Sequence, residues 1–223
     1  MAAPAPWVNP LIPNLTDYLA FVVGELSNPS VNLPYAAGAA TSVTASSLTD
    51  TTQTWVAGQW VNCWLYDSTA NVTVPITGNT TNTVTFAAQT APLNVADAYV
   101  IMPPIVYTSF TVAMAIVNDA LAQATPATYV FAVYNLAMDR LVRFAPDQAN
   151  QTYFAGLRKQ FGLLGTSVGA VASASDQGTS AAIANPEWMR QMTMRDIQTL
   201  RTPWGREYMG FAQAWGPFVW GLS

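Results

Sequence analysis

Thr108–Pro146, TSFTVAMAIVNDALAQATPATYVFAVYNLAMDRLVRFAP, is the stretch that decides the fold. It reads as two helices broken at Thr125-Pro126, because proline lacks an amide donor and disfavours helical geometry in the residue before it. In the first helix Phe110, Ala113, Met114, Val117, Ala120 and Leu121 recur at three- and four-residue steps and form one apolar stripe. In the second, Val130, Val133, Tyr134, Ala137, Leu141 and Phe144 form a stripe, and Phe131, Leu136, Met138 and Val142 fill most of the remaining surface. A helix apolar nearly all round is a buried one. Asn135, Asp139, Arg140 and Arg143 interrupt it, so it does not read as a membrane span, which needs about 20 nearly unbroken apolar residues.

Outward from this hairpin, the 223 residues suffice for one large domain or two small ones. Hydrophobic residues make up 51% of the chain, but Asp, Glu, Lys and Arg only 9%, against roughly 25% in a typical soluble domain. Two accounts fit so few charges: a surface rich in Thr, Asn and Gln, or subunit interfaces that hide much of the surface. The charges are also divided. Up to Asp139 there are seven acids and no base, a net of −7; from Arg140 onward eight bases meet five acids, a net of +3, for −4 in all. Such asymmetry fits complementary contacts between neighbouring copies or different partners at the two ends.

Histidine is absent and Cys63 is the sole cysteine, which removes Ser-His-Asp and Cys-His catalysis, His-based metal sites and any intrachain disulfide. Cys63, between Val61 and Leu65, reads as a small core residue. With one lysine and no Gly-rich phosphate loop, a Walker-type nucleotide site is excluded. No catalytic, cofactor-binding or metal-ligating residue is therefore assigned, and an enzyme is not expected. No basic region precedes an apolar stretch at the amino end, so synthesis in a reducing cytosol is the expectation.

Residues 1–13 carry four prolines and read as an extended arm. Asn14 is the expected N-cap of a first helix, with Asp17 at N3 and a stripe of Leu15, Tyr18, Leu19, Val22 and Leu26. Pro34 and the small residues Ala36–Ala40 read as a linker. From Thr41 to Met102, Thr, Val, Asn and Trp replace helix formers, and strands are expected near 41–45, 59–66, 70–77, 82–88 and 97–102. Trp55, Trp60, Trp64 and Tyr66 there are either core or a platform for sugar rings. After Pro146 a short helix presents Tyr153, Phe154, Leu157 and Phe161 and closes at Gly162. The Gly/Ala/Ser-rich run that follows, to 185, is an arm or hairpin ordered against a neighbour, or a linker. Thr193 with Asp196 makes a capping-box-like start, and Thr202-Pro203 supplies an N-cap and a proline at N1 for the last helix. The apolar tail beyond Gly216-Pro217 packs back on its own domain or docks on another chain. The expected class is α+β: a helical bundle core (1–40 with its arm, and 103–223) and an inserted small antiparallel β barrel or sandwich at 41–102, with extended terminal arms.

AMAIVNDALAQ (113–123), YVFAVYNLAMDRLVRFAPD (129–147) and RTPWGREYMGFAQAWGP (201–217) resemble the helical head-to-tail adaptor proteins of tailed bacteriophages, and YFAGLRKQFG with the Gly/Ser-rich run after it is similar to the family's link between the last two blocks. The resemblance covers about 108–223 and, loosely, the first helix; the 41–102 module departs from it. It implies a structural virion protein made in the host cytoplasm, without membrane or cofactor. A ring of about twelve copies would sit under the portal protein, extend the DNA channel without specific DNA binding, and dock a tail or stopper protein. It would place Trp215, Phe218, Val219, Trp220 and Leu222 at the portal contact, and Arg140, Arg143, Arg201, Arg206 and Trp204 between copies. The alternative is a tail- or fibre-attachment component whose β module binds a glycan or another virion protein.

Overall fold

The computed structural model describes residues 10–26, 33, 36–90, 93–164, 173–176, 179–182 and 193–215. The chain is an α+β protein. Helices α1 (Leu15–Glu25), α2 (Pro104–Ile116), α3 (Ala120–Ala124), α4 (Pro126–Phe144), α5 (Tyr153–Gln160), α6 (Met194–Thr199) and α7 (Pro203–Trp215) accompany strands β1 (Ala36–Ala39), β2 (Ser42–Thr44), β3 (Ser47–Thr49), β4 (Trp64–Asp67), β5 (Val72–Asn79), β6 (Thr83–Phe86) and β7 (Ala98–Met102). A separate hairpin pairs β8 (Ser173–Asp176) with β9 (Thr179–Ala182).

α1 begins where its cap chemistry directs: the Asn14 side chain accepts from the Asp17 amide at 2.9 Å. Leu15, Tyr18, Val22 and Leu26 of its stripe are buried. Tyr134 of α4 holds the start of this helix, its hydroxyl accepting from the Asn14 amide and donating to the Asn14 carbonyl, both at 3.0 Å. The central stretch does break at Thr125-Pro126, with Pro126 at N1 of α4. Its first half is not one helix. It starts a turn earlier, at Pro104, and stops at Val117, where the Asn118 side chain accepts from the Ala120 amide at 2.9 Å and Asp119 accepts from the Tyr129 hydroxyl at 2.8 Å. Short Asn and Asp side chains compete with helical hydrogen bonding in this way. Val117 and Leu121 are buried on either side of the break. Phe144, expected in the α4 stripe, is 59% exposed at the last turn, with the Arg140 guanidinium 5.7 Å from its ring centre.

The seven strands form one antiparallel sheet in the order β1-β7-β4-β5-β6-β3-β2. Ala36–Ala39, expected as a linker, is an outer strand paired with β7 (Ala36 opposite Ile101). Only Ala40 and Thr41 separate it from β2, which pairs with β3 at the other end of the order. One stretch of chain, 36–44, thus lies against both outermost partners and the sheet curls closed. Alternation sends Leu65 and Ile101 inward with Leu48, Trp55, Trp60, Cys63, Val74, Ile76, Val84, Phe86 and Tyr99, while Tyr66 and Met102 point to the helices and join their core. The strand expected at 59–66 is confined to 64–67, because Gly58 and Asn62 adopt left-handed φ of 79° and 67° and turn the chain.

Asp50 is fully buried inside this sheet. Its oxygens accept from the Thr52 amide (3.0 Å) and hydroxyl (2.6 Å), the Gln53 amide group (3.2 Å) and the Tyr99 hydroxyl (2.7 Å). Burial alone would raise this carboxyl; the hydrogen bonds outweigh it and hold it below the ordinary value. Tyr99→Phe removes one donor without changing shape, so a loss of about 1–2 kcal/mol in chemical denaturation is expected, with an unchanged denaturant dependence.

Candidate functional site

The blocks 129–147 and 201–217 lie far apart in sequence and meet in the structure. Asp139 and Arg143 are four residues apart on α4, hence on one face. The Arg143 Nε donates to Asp139 Oδ1 at 3.1 Å, and an ion pair of 2.9 Å reaches Oδ2. From the other block, the Thr202 hydroxyl donates to Asp139 Oδ1 at 2.6 Å and accepts from the Gly205 amide at 2.9 Å, capping α7. Asp139 and Thr202 are both buried. Burial drives the Asp139 carboxyl up to about 6, against the opposing pull of Arg143, Thr202 and Arg140. Gly205 makes the approach possible: a Cβ there would overlap the Thr199 carbonyl oxygen and sit 2.9 Å from Asp139 Oδ1.

Aromatic contacts and further hydrogen bonds surround this polar knot. Phe131 stacks on Phe211 at 6.5 Å, and Phe161 meets Trp204 edge-on at 6.0 Å. The Trp204 indole donates to Glu25 Oε2 at 3.0 Å, tying α7 to the end of α1. Arg201 donates to the Gly162 carbonyl just past α5, where Gly162 has a φ of 65°. Arg158 donates to the Ala145 and Val142 carbonyls at 2.7 and 3.3 Å, satisfying the open end of α4, and lies 3.6 Å from Asp147. Asp147 in turn accepts from the Phe154 and Ala155 amides at the start of α5.

No family model, curated protein or solved structure matches this chain.

Of the residues expected between copies, Arg143 and Arg201 engage groups of their own chain, Trp204 is buried, and Arg140 lies over Phe144. Arg206 is exposed, with a marginal 3.5 Å bond to the Leu200 carbonyl. Trp215, at the end of α7, is 36% exposed. Phe218, Val219, Trp220 and Leu222 lie outside the described residues. In the β part, Trp55, Trp60 and Tyr66 are buried, Trp55 and Trp60 meeting edge-on at 6.3 Å, so they serve as core. Trp64 is half-buried and stacks on Tyr107 at 4.5 Å. Among the described residues no group of three or more acids and cysteine is assembled that could hold a metal.

The acidic first part does not become an acidic face. Asp50, Asp67, Asp97 and Asp139 are buried, leaving Asp17, Glu25 and Asp119 toward solvent. Asp67 accepts from the Thr69 and Ala70 amides at 2.8 Å, and Asp97 from the Asn94 amide at 2.9 Å; these carboxylates hold turns together. Burial, with Asp97 nearby, holds the Asp67 carboxyl above its ordinary value. In the sequence Asp139 reads as a charge that interrupts an apolar helix and as the last acid of the base-free first part. The signal that marks it is a lone acid on the apolar side of a helix with arginine four residues on.

Proposed function

We propose that this chain is a structural subunit of a tailed-bacteriophage neck, a head-to-tail adaptor. Its helices form the bundle core and 41–102 the insertion, and about twelve copies form a ring under the portal that extends the DNA channel and docks the tail or stopper. The observation that carries this reading is the buried junction of 129–147 with 201–217, two of the three blocks on which the adaptor resemblance rests, made through Asp139, Thr202 and Gly205. A charge content of 9% supports it, since flanks covered by sister subunits need few ions. The alternative, attachment through sugar-stacking aromatics of the β part, loses most of its platform with Trp55, Trp60 and Tyr66 buried.

Two measurements test the reading. Imaging of virions that contain the chain should find a ring of it between portal and tail; its location on the capsid face or at a fibre tip would overturn the assignment. Removing 217–223 should abolish portal binding in a pull-down and leave the circular dichroism of the helices unchanged. Full portal binding by that truncated chain would remove the docking role of Phe218, Val219, Trp220 and Leu222.

A further inference from the structure

A cleft of about 720 Å³ opens between the start of α1, the outward side of the β4–β5 hairpin and one face of α2. That volume lies within the roughly 300–1,000 Å³ range of small-molecule sites, which favour junctions between structural units. Tyr107, Phe110, Thr111 and Met114, spaced three and four apart, supply the α2 wall; Ser68, Asn71 and Thr73 supply the hairpin wall; Thr16 and Asp17 come from α1. Tyr66, largely buried, also lines the cleft, and its hydroxyl donates to Asn71 Oδ1 over a long 3.3 Å. Asn71 sits in the left-handed region, φ 54°, which asparagine tolerates.

We propose that this cleft binds a neutral saccharide unit. The chemistry on its walls selects the class. Among the described residues Asp17 is the sole charged one lining it and no Lys or Arg does, so a phosphate or carboxylate ligand would be desolvated without compensation. The Ser68 and Thr111 hydroxyls donate to carbonyls of their own chain and keep acceptor lone pairs; with the Asn71 amide, the Thr73 hydroxyl and the Asp17 carboxylate they match the vicinal hydroxyls of a sugar ring. Tyr107, held flat by its 4.5 Å stack on Trp64, offers an aromatic surface for the ring's C–H face. The site excludes the buried Trp55 and Trp60 and uses neither them nor the Tyr66 ring as a stacking face, and it stands whether or not the chain assembles as a ring.

The test is titration of the full chain with maltotriose, cellotriose and chitotriose, followed by tryptophan fluorescence, which Trp64 reports. Saturable binding of at least one, in the millimolar range, is expected. Asn71→Gly keeps the left-handed backbone and removes the amide; Asp17→Asn keeps the shape and removes the charge. Each should weaken binding by about tenfold, the equivalent of one lost hydrogen bond to a polar ligand, with unchanged circular dichroism. No saturable binding of any of the three sugars, binding indifferent to both substitutions, or binding of trilysine in place of the sugars would each overturn the proposal.

Discussion

Gly205→Ala is expected to be the most damaging glycine-to-alanine change among the described residues. The added carbon would occupy the space of the Thr199 carbonyl oxygen, with the Thr199 carbonyl carbon at 2.8 Å and Asp139 Oδ1 at 2.9 Å. Two of these atoms are backbone, so no rotamer change relieves the overlap, and α7 must move away from α4. Overpacking ordinarily costs about 1–3 kcal/mol; with a backbone obstacle and the Thr202–Asp139 bond lost together, about 4 kcal/mol or more is expected. That is a large part of the roughly 5–15 kcal/mol of a whole domain. Gly210→Ala is the control. It lies on the same helix, exposed, with nothing within 4 Å of the added carbon, and should stabilise by about 0.5–1 kcal/mol through helix propensity. Urea denaturation of the two variants should therefore move in opposite directions. Equal midpoints would show that the α4–α7 approach is not as close as described.

The second large effect belongs to Asp139. Asp139→Ala leaves Arg143, whose side chain is 12% exposed, without its partner and Thr202 without its acceptor, for a loss of about 3–5 kcal/mol. Asp139→Asn separates charge from shape. The folded-state carboxyl titrates near 6, above its ordinary value of 3.8, so the folded chain takes up this proton before the unfolded chain does. The corresponding stability is complete below about pH 4 and is lost as pH rises through about 6. Between those limits the wild type should lose about 3 kcal/mol from this group as pH rises, and the Asn variant should lack that slope. Asp50, held low, acts in the opposite sense: its contribution is present above the ordinary carboxylate range and disappears under stronger acid. A pH series of denaturation midpoints from 4 to 8 distinguishes the two groups. A wild-type curve as flat as that of the Asn variant would remove Asp139 from the account.

The helical part was legible where local chemistry names its own boundary. Asn14 with Asp17, Thr193 with Asp196 and Thr202 with Gly205 close their helix starts by short-range bonds, Pro126 opens its helix through its fixed φ, and these termini fall where expected. Long-range demands were not legible. Ala36–Ala39 has the composition of a linker, because alanine and glycine are poor strand formers in isolation. The structure needs small residues there for another reason. A Cβ on Gly38 would overlap Asp50 Oδ2 and come within 2.8 Å of the Tyr99 hydroxyl, so only a bare backbone fits beside that buried network. The division of charge misled in a related way, since a carboxylate counted in sequence carries no mark of whether it meets water or a turn amide. Of the candidate site, Thr202 and the arginines could be named, but not that Asp139 would gather Thr202 and Arg143 across 63 residues.

The segment from Ala36 to Thr44 supplies both the first and the last strand of its own sheet. Its ladder bonds reach β7 at one end and β3 at the other, so one piece of chain holds both margins of the sheet. Pulling on that segment must also shear two ladders at once, so the β part is expected to resist traction along the strands better than any single hairpin within it.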